Sequence, residues 1–491
     1  MTTVSAQPSF LATGRGKLIL LLLTAVGFLD FIDASIVNVA LPDIREELGF
    51  SVQNLQWVVS AYLLTYGGFM LLGGRMADLL GRRRVLIWGT VVFGLSSFAG
   101  ALATEPGVLV GARLTQGLGA ALMMPAALSL LTTSFVGPER HKVLAVWGGF
   151  AGLASAVGVL AGGLLTEGPG WRWVLMVNPP ISAVLLVAIV MMFPNDKRRS
   201  RLADFDLLGA VLVTAGMLLL VYALVEAPDQ GWASAKTIAE LAGAGLILAS
   251  AIAVESMIQR PLIPLSIFRI RGLAAADMTQ LIGVGGFVTM FFFLTLYMQG
   301  VLGYSPIQTG LAYLPATVGV GISAGITSNL IGRIGTKPVM VVGALITAVG
   351  LYMLSRIPVD GSYVGDLLPG LLVVSLGIGG VFIGTTTAAN AGVPPTLAGL
   401  AAALVNASQQ VGGALGLAIF SAIAASRTTH LIQTGHSVPS ALTSGFQRAL
   451  LAAAIFLAAA AVIALRTKNA RGEIEQHDDA TAVAAPVEPA V

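Results

Sequence analysis

Fourteen continuous apolar runs follow one another along this 491-residue chain, and they constrain its fold more tightly than any other feature. They lie at residues 18–40, 53–73, 84–103, 107–130, 142–165, 173–193, 207–226, 237–257, 272–297, 307–329, 338–355, 366–388, 396–424 and 446–465. Each is close to the ~20 residues that a helix needs to cross the hydrocarbon of a bilayer. Strands of a membrane barrel would alternate apolar and polar residues; these runs do not. The chain is 56% hydrophobic and 10% charged, against about 25% charged in ordinary soluble domains. No soluble core hides so much apolar surface, so the sequence specifies an all-α polytopic membrane protein with the lipid bilayer as its solvent. Cysteine is absent, which removes disulfides and thiolate metal sites.

The charges test the count of spans. With the N-terminus inside, Lys and Arg should gather in the tails and in alternate loops. The N-tail, 1–17, carries Arg15 and Lys17. The inner loops carry Arg75 and Arg82 to Arg84; Arg140 and Lys142; Lys197 to Arg199 with Arg201; Arg260, Arg269 and Arg271; and Arg333 and Lys337. With Arg466, Lys468 and Arg471 after the last run, 20 of the 27 basic residues fall on one side. A wrong count would scramble that asymmetry. The reading is a multi-pass plasma (inner) membrane protein with both termini cytoplasmic. No small-residue cleavage site ends a short first run, so the first span is expected to stay uncleaved. The Lys197-to-Arg201 run reads as an inner loop rather than a phosphate patch, and no nucleic-acid partner is implied. The tail, 467–491, turns rich in Ala, Glu, Asp and Pro after Arg471 and reads as disordered.

A weak internal repeat divides the chain. Gly81-Arg-Arg-Arg-Val-Leu resembles Gly335-Thr-Lys-Pro-Val-Met, and Gly117-Leu-Gly-Ala resembles Gly377-Ile-Gly-Gly. Repeats at such an offset suggest pseudo-symmetric six-helix halves, 18–193 and 266–466. Between them, 194–265 holds a connector and a two-helix insertion, a 6+2+6 arrangement. Duplicated halves place a binding site near the midplane, at their interface.

The first span holds the chemistry. Residues 27–42 read GFLDFIDASIVNVALP, with Asp30 and Asp33 three residues apart on one helix face. A charge at the centre of a spanning helix costs about 2.5–3.5 kcal/mol on insertion scales, so the pair points to function. A carboxyl group in low dielectric holds its proton more tightly than in water. It can bind a proton or a cation, which is the simplest way to couple proton flow to movement of a solute. The bland alternative is that both acids are structural, bonded to neighbouring helices. Arg113 begins the fourth span, where it either snorkels to the interface or faces inward beside Gln116, one turn deeper. Tyr62 and Tyr66 can stack on aromatic or cationic solutes, and Trp57 can do so or anchor at the lipid interface. Asn406, Gln409 and Gln410 form a polar patch in the thirteenth span. With Asp33 and Gln116, these residues are the candidate solute contacts. Asn38 suits a bond between helices better than a lumen contact, and Asp277 in the ninth span an interfacial salt bridge with Arg271 better than a second cation site. Neither a nucleotide-binding glycine loop nor a metal-spaced histidine set is present, His141, His430, His436 and His477 falling in loops or the tail. An enzyme and a cofactor are therefore not expected.

Residues 73–86, GGRMADLLGRRRVL, resemble the signature loop of the major facilitator superfamily. Residues 33–42 are similar to the first-span motif of its fourteen-helix drug:proton antiporters, and residues 111–121, GARLTQGLGAA, to their fourth-span motif. Gly158-Val-Leu-Ala-Gly-Gly163 looks like their fifth-span antiporter motif, with Val159 where Pro is usual. The resemblance implies the major facilitator fold. It implies proton coupling through Asp33 and Arg113, with Asp30 an extra acid one turn earlier. It implies a conformational latch at Gly74, Asp78, Gly81 and Arg82, where Gly74 allows close packing, Gly81 a sharp turn, and Asp78 faces Arg82 and the start of the eleventh span. Gly158, Gly162 and Gly163 should pack closely, and Gly332 stands where a second-half acid would match Asp78. The expected activity is proton-driven export of amphipathic, cationic drugs or toxic compounds, with protons and a small amphipathic solute as partners. Two alternatives stay open: a dedicated exporter of one metabolite or self-made antibiotic, and a membrane sensor or scaffold that transports nothing.

Overall fold

The computed structural model describes residues 10–135, 138–194, 207–258, 265–270, 272–391, 393–394 and 397–471. The Lys197-to-Arg201 run, Arg260, Arg271 and the tail after Arg471 lie outside the described residues. The chain is all helical where described. In order the helices are α1 Gly14–Leu48, α2 Trp57–Leu80, α3 Arg82–Ala101, α4 Pro106–Ser134, α5 Pro138–Glu167, α6 Arg172–Met176, α7 Asn178–Met192, α8 Leu207–Gln230, α9 Ala235–Met257, α10 Leu273–Gly300, α11 Pro306–Ile334, α12 Thr336–Leu354, α13 Leu368–Asn390, α14 Ala398–Gln433 and α15 Val438–Ala464. Each apolar run of the sequence falls on a helix. Among the described residues, 13 segments are long and apolar enough to cross a membrane; α5 is the remaining crossing, with a shorter apolar stretch at Leu153–Glu167. The sixth crossing is broken into α6 and α7, where Pro179 and Pro180 follow Asn178 and supply no N–H to the preceding turn.

The helices overrun their apolar runs. The first run ends at 40, yet α1 continues through Pro42 to Leu48, and Gly49 stops it in the left-handed region at φ 73°. That overhang carries Glu47, which accepts from Trp171 Nε1 at 2.6 Å and pairs with Arg172, tying the α1–α2 turn to α6. At the end of the bundle that holds the termini, the chain after α15 folds onto the first turn of α12. Thr336 N–H donates to Ala470 C=O at 2.9 Å, Thr336 Oγ1 to Lys468 C=O at 3.0 Å, and Lys337 N–H to Asn469 Oδ1 at 3.0 Å.

Within the first six crossings α1 packs on α5, α2 on α4, and α3 on α4 and α7. Within the last six, α10 packs on α14 and α15, and α12 on α13 and α15. The two groups meet where α5 lies on α11, α2 on α14 and α1 on α10, while α8 and α9 pack on each other and α8 on α2 and α14. Small residues set these contacts. A Cβ at Gly158 or Gly162 would strike Ser35 or Ile36 of α1, and one at Gly163 the backbone of Pro306 and Ile307 in α11. The antiporter-like stretch thus packs closely on two helices, and α5 runs through Val159 without interruption. Away from the termini, Gln299 Nε2 donates to Val39 C=O at 2.9 Å and Ile307 N–H to Glu167 at 3.1 Å, so the two groups are bonded together at that end.

Candidate functional site

Asp33 is fully buried and has three donors around it. Arg113 Nη1 donates to Oδ2 at 2.7 Å, while Gln116 Nε2 at 2.8 Å and Asn178 Nδ2 at 2.6 Å donate to Oδ1. Arg113 is buried as well; its Nε donates to Val58 C=O at 2.9 Å and its Nη1 to Gln116 Oε1 at 2.6 Å. It does not snorkel. Arg113 and Gln116 reach Asp33 together because three residues place them on one face of α4. A Cβ at Gly117 would run into Tyr62 C=O, so a glycine there lets α4 lie against α2. A buried pair of this kind is strongly interdependent: removing one partner leaves an uncompensated charge, at about 3–5 kcal/mol.

One turn along α1, Asp30 is buried and accepts from Tyr62 Oη and, at 3.2 Å, from Tyr66 Oη. The tyrosine ring centroids are 5.7 Å apart. The Arg113 guanidinium lies over the Tyr62 ring at 4.3 Å. Tyr62 therefore touches both acid sites, Asp30 by its hydroxyl and the Asp33 partner by its face. Replacing Tyr62 with Phe keeps the ring and removes the hydroxyl. The expected result is a loss of about 1.5–3 kcal/mol, the range for hydrogen bonds to charged groups, read as a fall in the unfolding midpoint of the protein in lipid nanodiscs.

Sequence reasoning missed Asn178 and Ser97. Asn178 Nδ2 also donates to Ser97 Oγ at 2.9 Å, and Ser97 Oγ to Leu175 C=O at 2.9 Å, which fixes the amide over Asp33. An asparagine ahead of two prolines inside an apolar run was the available signal. The polar patch of α14 is split rather than shared. Gln409 Oε1 accepts from Gln280 Nε2 of α10 at 3.4 Å, and Gln280 Oε1 accepts from Thr385 Oγ1 of α13. Gln410 lies against α2 at Gly67, and Asn406 donates to Ala402 C=O of its own helix at 2.9 Å. Asn38 differs from expectation: its amide donates to Ala34 C=O within α1 at 2.8 Å, so it bonds no other helix, and its Oδ1 is buried without a partner. The salt bridge expected between Asp277 and Arg271 involves a residue outside the described ones.

At the α2–α3 turn, Asp78 and Arg82 pair at 3.6 Å, both well exposed. Such a pair contributes about 0–1 kcal/mol. From the last six crossings α14 is the helix packed most closely on α2. The tight approach falls at Gly73, where a Cβ would strike Ala121 C=O of α4; Gly74 has ordinary room beside Pro125. Gly81 turns the chain at φ 109°, a conformation that L side chains rarely adopt. Gly81→Val is expected to lower stability by about 1–3 kcal/mol, measured by thermal unfolding against Gly107→Val, where a Cβ meets nothing within 4 Å.

The family model for the Major Facilitator Superfamily matches residues 23–417. The chain belongs to that superfamily. Among its superfamily relatives is a puromycin resistance protein of Streptomyces alboniger, 40% identical over 436 residues, 87% of this chain and 85% of that one. A cephamycin export protein of Amycolatopsis lactamdurans is 38% identical over 458 residues, 92% of each. A lincomycin resistance protein of Streptomyces lincolnensis is 33% identical over 418 residues, 84% of this chain and 85% of that one. Of solved structures, a mutant peptide transporter POT in complex with sulfate superposes with TM-score 0.65 at 16% identity, covering 94% of this chain and 98% of that one. A bacterial homologue of the lysosomal transporter Spinster, inward-facing and occupied, gives TM-score 0.63 at 15% identity, covering 92% and 97%. The fold is that of the superfamily, and the relatives are drug and antibiotic resistance and export proteins.

Proposed function

We propose that this chain is a proton-driven antiporter that exports amphipathic, cationic drugs or toxic compounds across the plasma membrane by alternating access. Its termini are cytoplasmic, and its halves, 18–193 and 266–466, rock about a central site, with α8 and α9 inserted between them. The observation that carries this reading is the Asp33–Arg113 pair, sealed from solvent and held by Gln116 and Asn178. Three donors converge on its one carboxyl group. To take up a proton, Asp33 must give up Arg113, and that exchange couples protonation to movement of α4 against α1. Asp30 and the two tyrosines supply an acid and aromatic faces for a solute. The bonds of Val39 to Gln299 and of Glu167 to Ile307 close the end away from the termini, and cargo enters when the cytoplasmic end opens. The α2–α3 loop, with Gly74, Asp78, Gly81 and Arg82, acts as the latch of that side.

Everted vesicles holding the protein test the proposal. Added puromycin, lincomycin or tetraphenylphosphonium should each release protons from an acidified lumen, and an uncoupler should stop their accumulation. Accumulation that persists with the uncoupler refutes proton drive. A second reading, a dedicated exporter of one self-made antibiotic, is favoured by relatives whose names carry a single compound. Response to one of the three solutes alone would select it.

A further inference from the structure

Asp277 is the buried acid that the pair in α1 does not explain. It is 6% exposed, and both of its carboxyl oxygens are buried with no hydrogen-bond partner. No ion pair among the described residues reaches it. The charged groups of the elements around it include Arg75 and Asp78 on α2, Arg333 at the end of α11, Lys337 at the start of α12, and Arg466 and Lys468 just after α15, none of them paired with it. On α14 they are Arg427 and His430, at the far end of the helix; on α15, Arg448 near the start; α13 has none. The segment just before α10 offers Arg269, which is exposed, and α1 offers the acids already bonded to Tyr62, Tyr66 and Arg113.

The surroundings of α10 at this level are apolar. Leu273 and Ala276, beside Asp277 on the helix, belong to an apolar layer with Met340 of α12, Ala388 and Ala389 of α13, and Leu404 of α14. Leu71 of α2 packs against the same layer, so a helix of the first six crossings helps to close it. One turn further into the bundle begins the polar chain Gln280, Thr385 and Gln409. An ionised carboxylate left alone in such a place is disfavoured, because neither water nor a cation replaces its lost hydration. A neutral acid is tolerated.

We propose that Asp277 is a second proton-binding site, in the last six crossings, loaded when the apolar layer at the termini end closes and emptied when α2 withdraws and admits water. It rests on the antiport reading for its purpose, though not for its existence. The proton arrives from the outer side while the termini end is closed and leaves to the cytoplasm when that end opens; no covalent step is involved. Asp33 and Asp277 then respond to opposite features, the first to the approach of Arg113 and the second to the loss of water.

Infrared difference spectroscopy of the full chain in lipid nanodiscs at neutral pH tests this. The wild type minus Asp277→Asn spectrum should contain the carbonyl stretch of one protonated carboxylic acid. Asp277→Glu should shift that band rather than remove it, which controls for misfolding of the Asn variant. Leu71→Asn, which wets the layer, should abolish the band. A wild type minus Asp277→Asn spectrum without an acid band overturns the site, and a band that survives Leu71→Asn overturns its link to closure. Wild-type export that persists in everted vesicles with an uncoupler would sink the antiport reading and leave this band in place, so the two failures are distinguishable.

Discussion

Asp33→Asn will abolish proton-driven export while the protein still reaches the membrane. The side chain keeps its shape, so Gln116 and Asn178 can still approach it, but the amide cannot carry the negative charge that Arg113 faces at 2.7 Å. The guanidinium is left buried, with Val58 C=O and Gln116 Oε1 as its remaining acceptors. Breaking a buried pair on one side is expected to lower stability by about 3–5 kcal/mol. Arg113→Met alone should cost a comparable amount for the mirrored reason. The double variant should be closer to the wild type than the sum of the singles, because both uncompensated charges are then gone. A thermal unfolding cycle in nanodiscs measures the coupling. Transport in everted vesicles should be lost in all three variants, by at least about a hundredfold if the charge is essential to the barrier, since each 1.4 kcal/mol is a factor of ten. Full uncoupler-sensitive transport by Asp33→Asn would remove the carboxyl group from the mechanism.

Gly163→Leu will stop transport by a different route. A Cβ at this position would lie 2.8 Å from Pro306 C=O and 2.8 Å from Ile307 Cα, and both atoms belong to backbone that cannot swing aside. A leucine therefore wedges α5 from α11, the seam that closes the end away from the termini. The helix contacts within each group of six crossings are left in place, so the chain should fold, but the closed arrangement is lost. The expected result is a fall in transport of at least about tenfold, the effect of some 1.4 kcal/mol against one state of the cycle, with a smaller change in unfolding temperature. Cysteines placed at residues lining that seam should become reactive to an impermeant maleimide added from that side. Normal transport by Gly163→Leu would show that the seam need not close.

Much of the architecture was legible in the sequence, because a bilayer restricts the backbone to helices of fixed minimum length. The runs at 84–103 and 237–257 match α3 and α9 within a few residues. Helix ends were less legible. The apolar signal stops where the hydrocarbon stops, whereas α1 continues to Leu48 until a glycine ends it. In the site, Asp33, Arg113 and Gln116 could be named as polar residues in apolar runs, but their meeting could not, since it depends on the approach of α4 to α1. Asn178 and Ser97 were hidden because single amides and hydroxyls are common in spanning helices. The identity of the close-packed glycine in the α2 motif, Gly73 rather than Gly74, was a matter of rotation about the helix axis, which alternative neighbours in sequence cannot reveal.

The short stretch after α15 has a practical bearing on how this protein is handled. Asn469 and Ala470 satisfy the amide groups of Lys337 and Thr336, which a helix start otherwise leaves bare. Truncation at Leu465 would strip those partners from the opposite side of the last hairpin, and a reporter fused there would prise them off. Affinity handles belong beyond Arg471, where the knot stays tied.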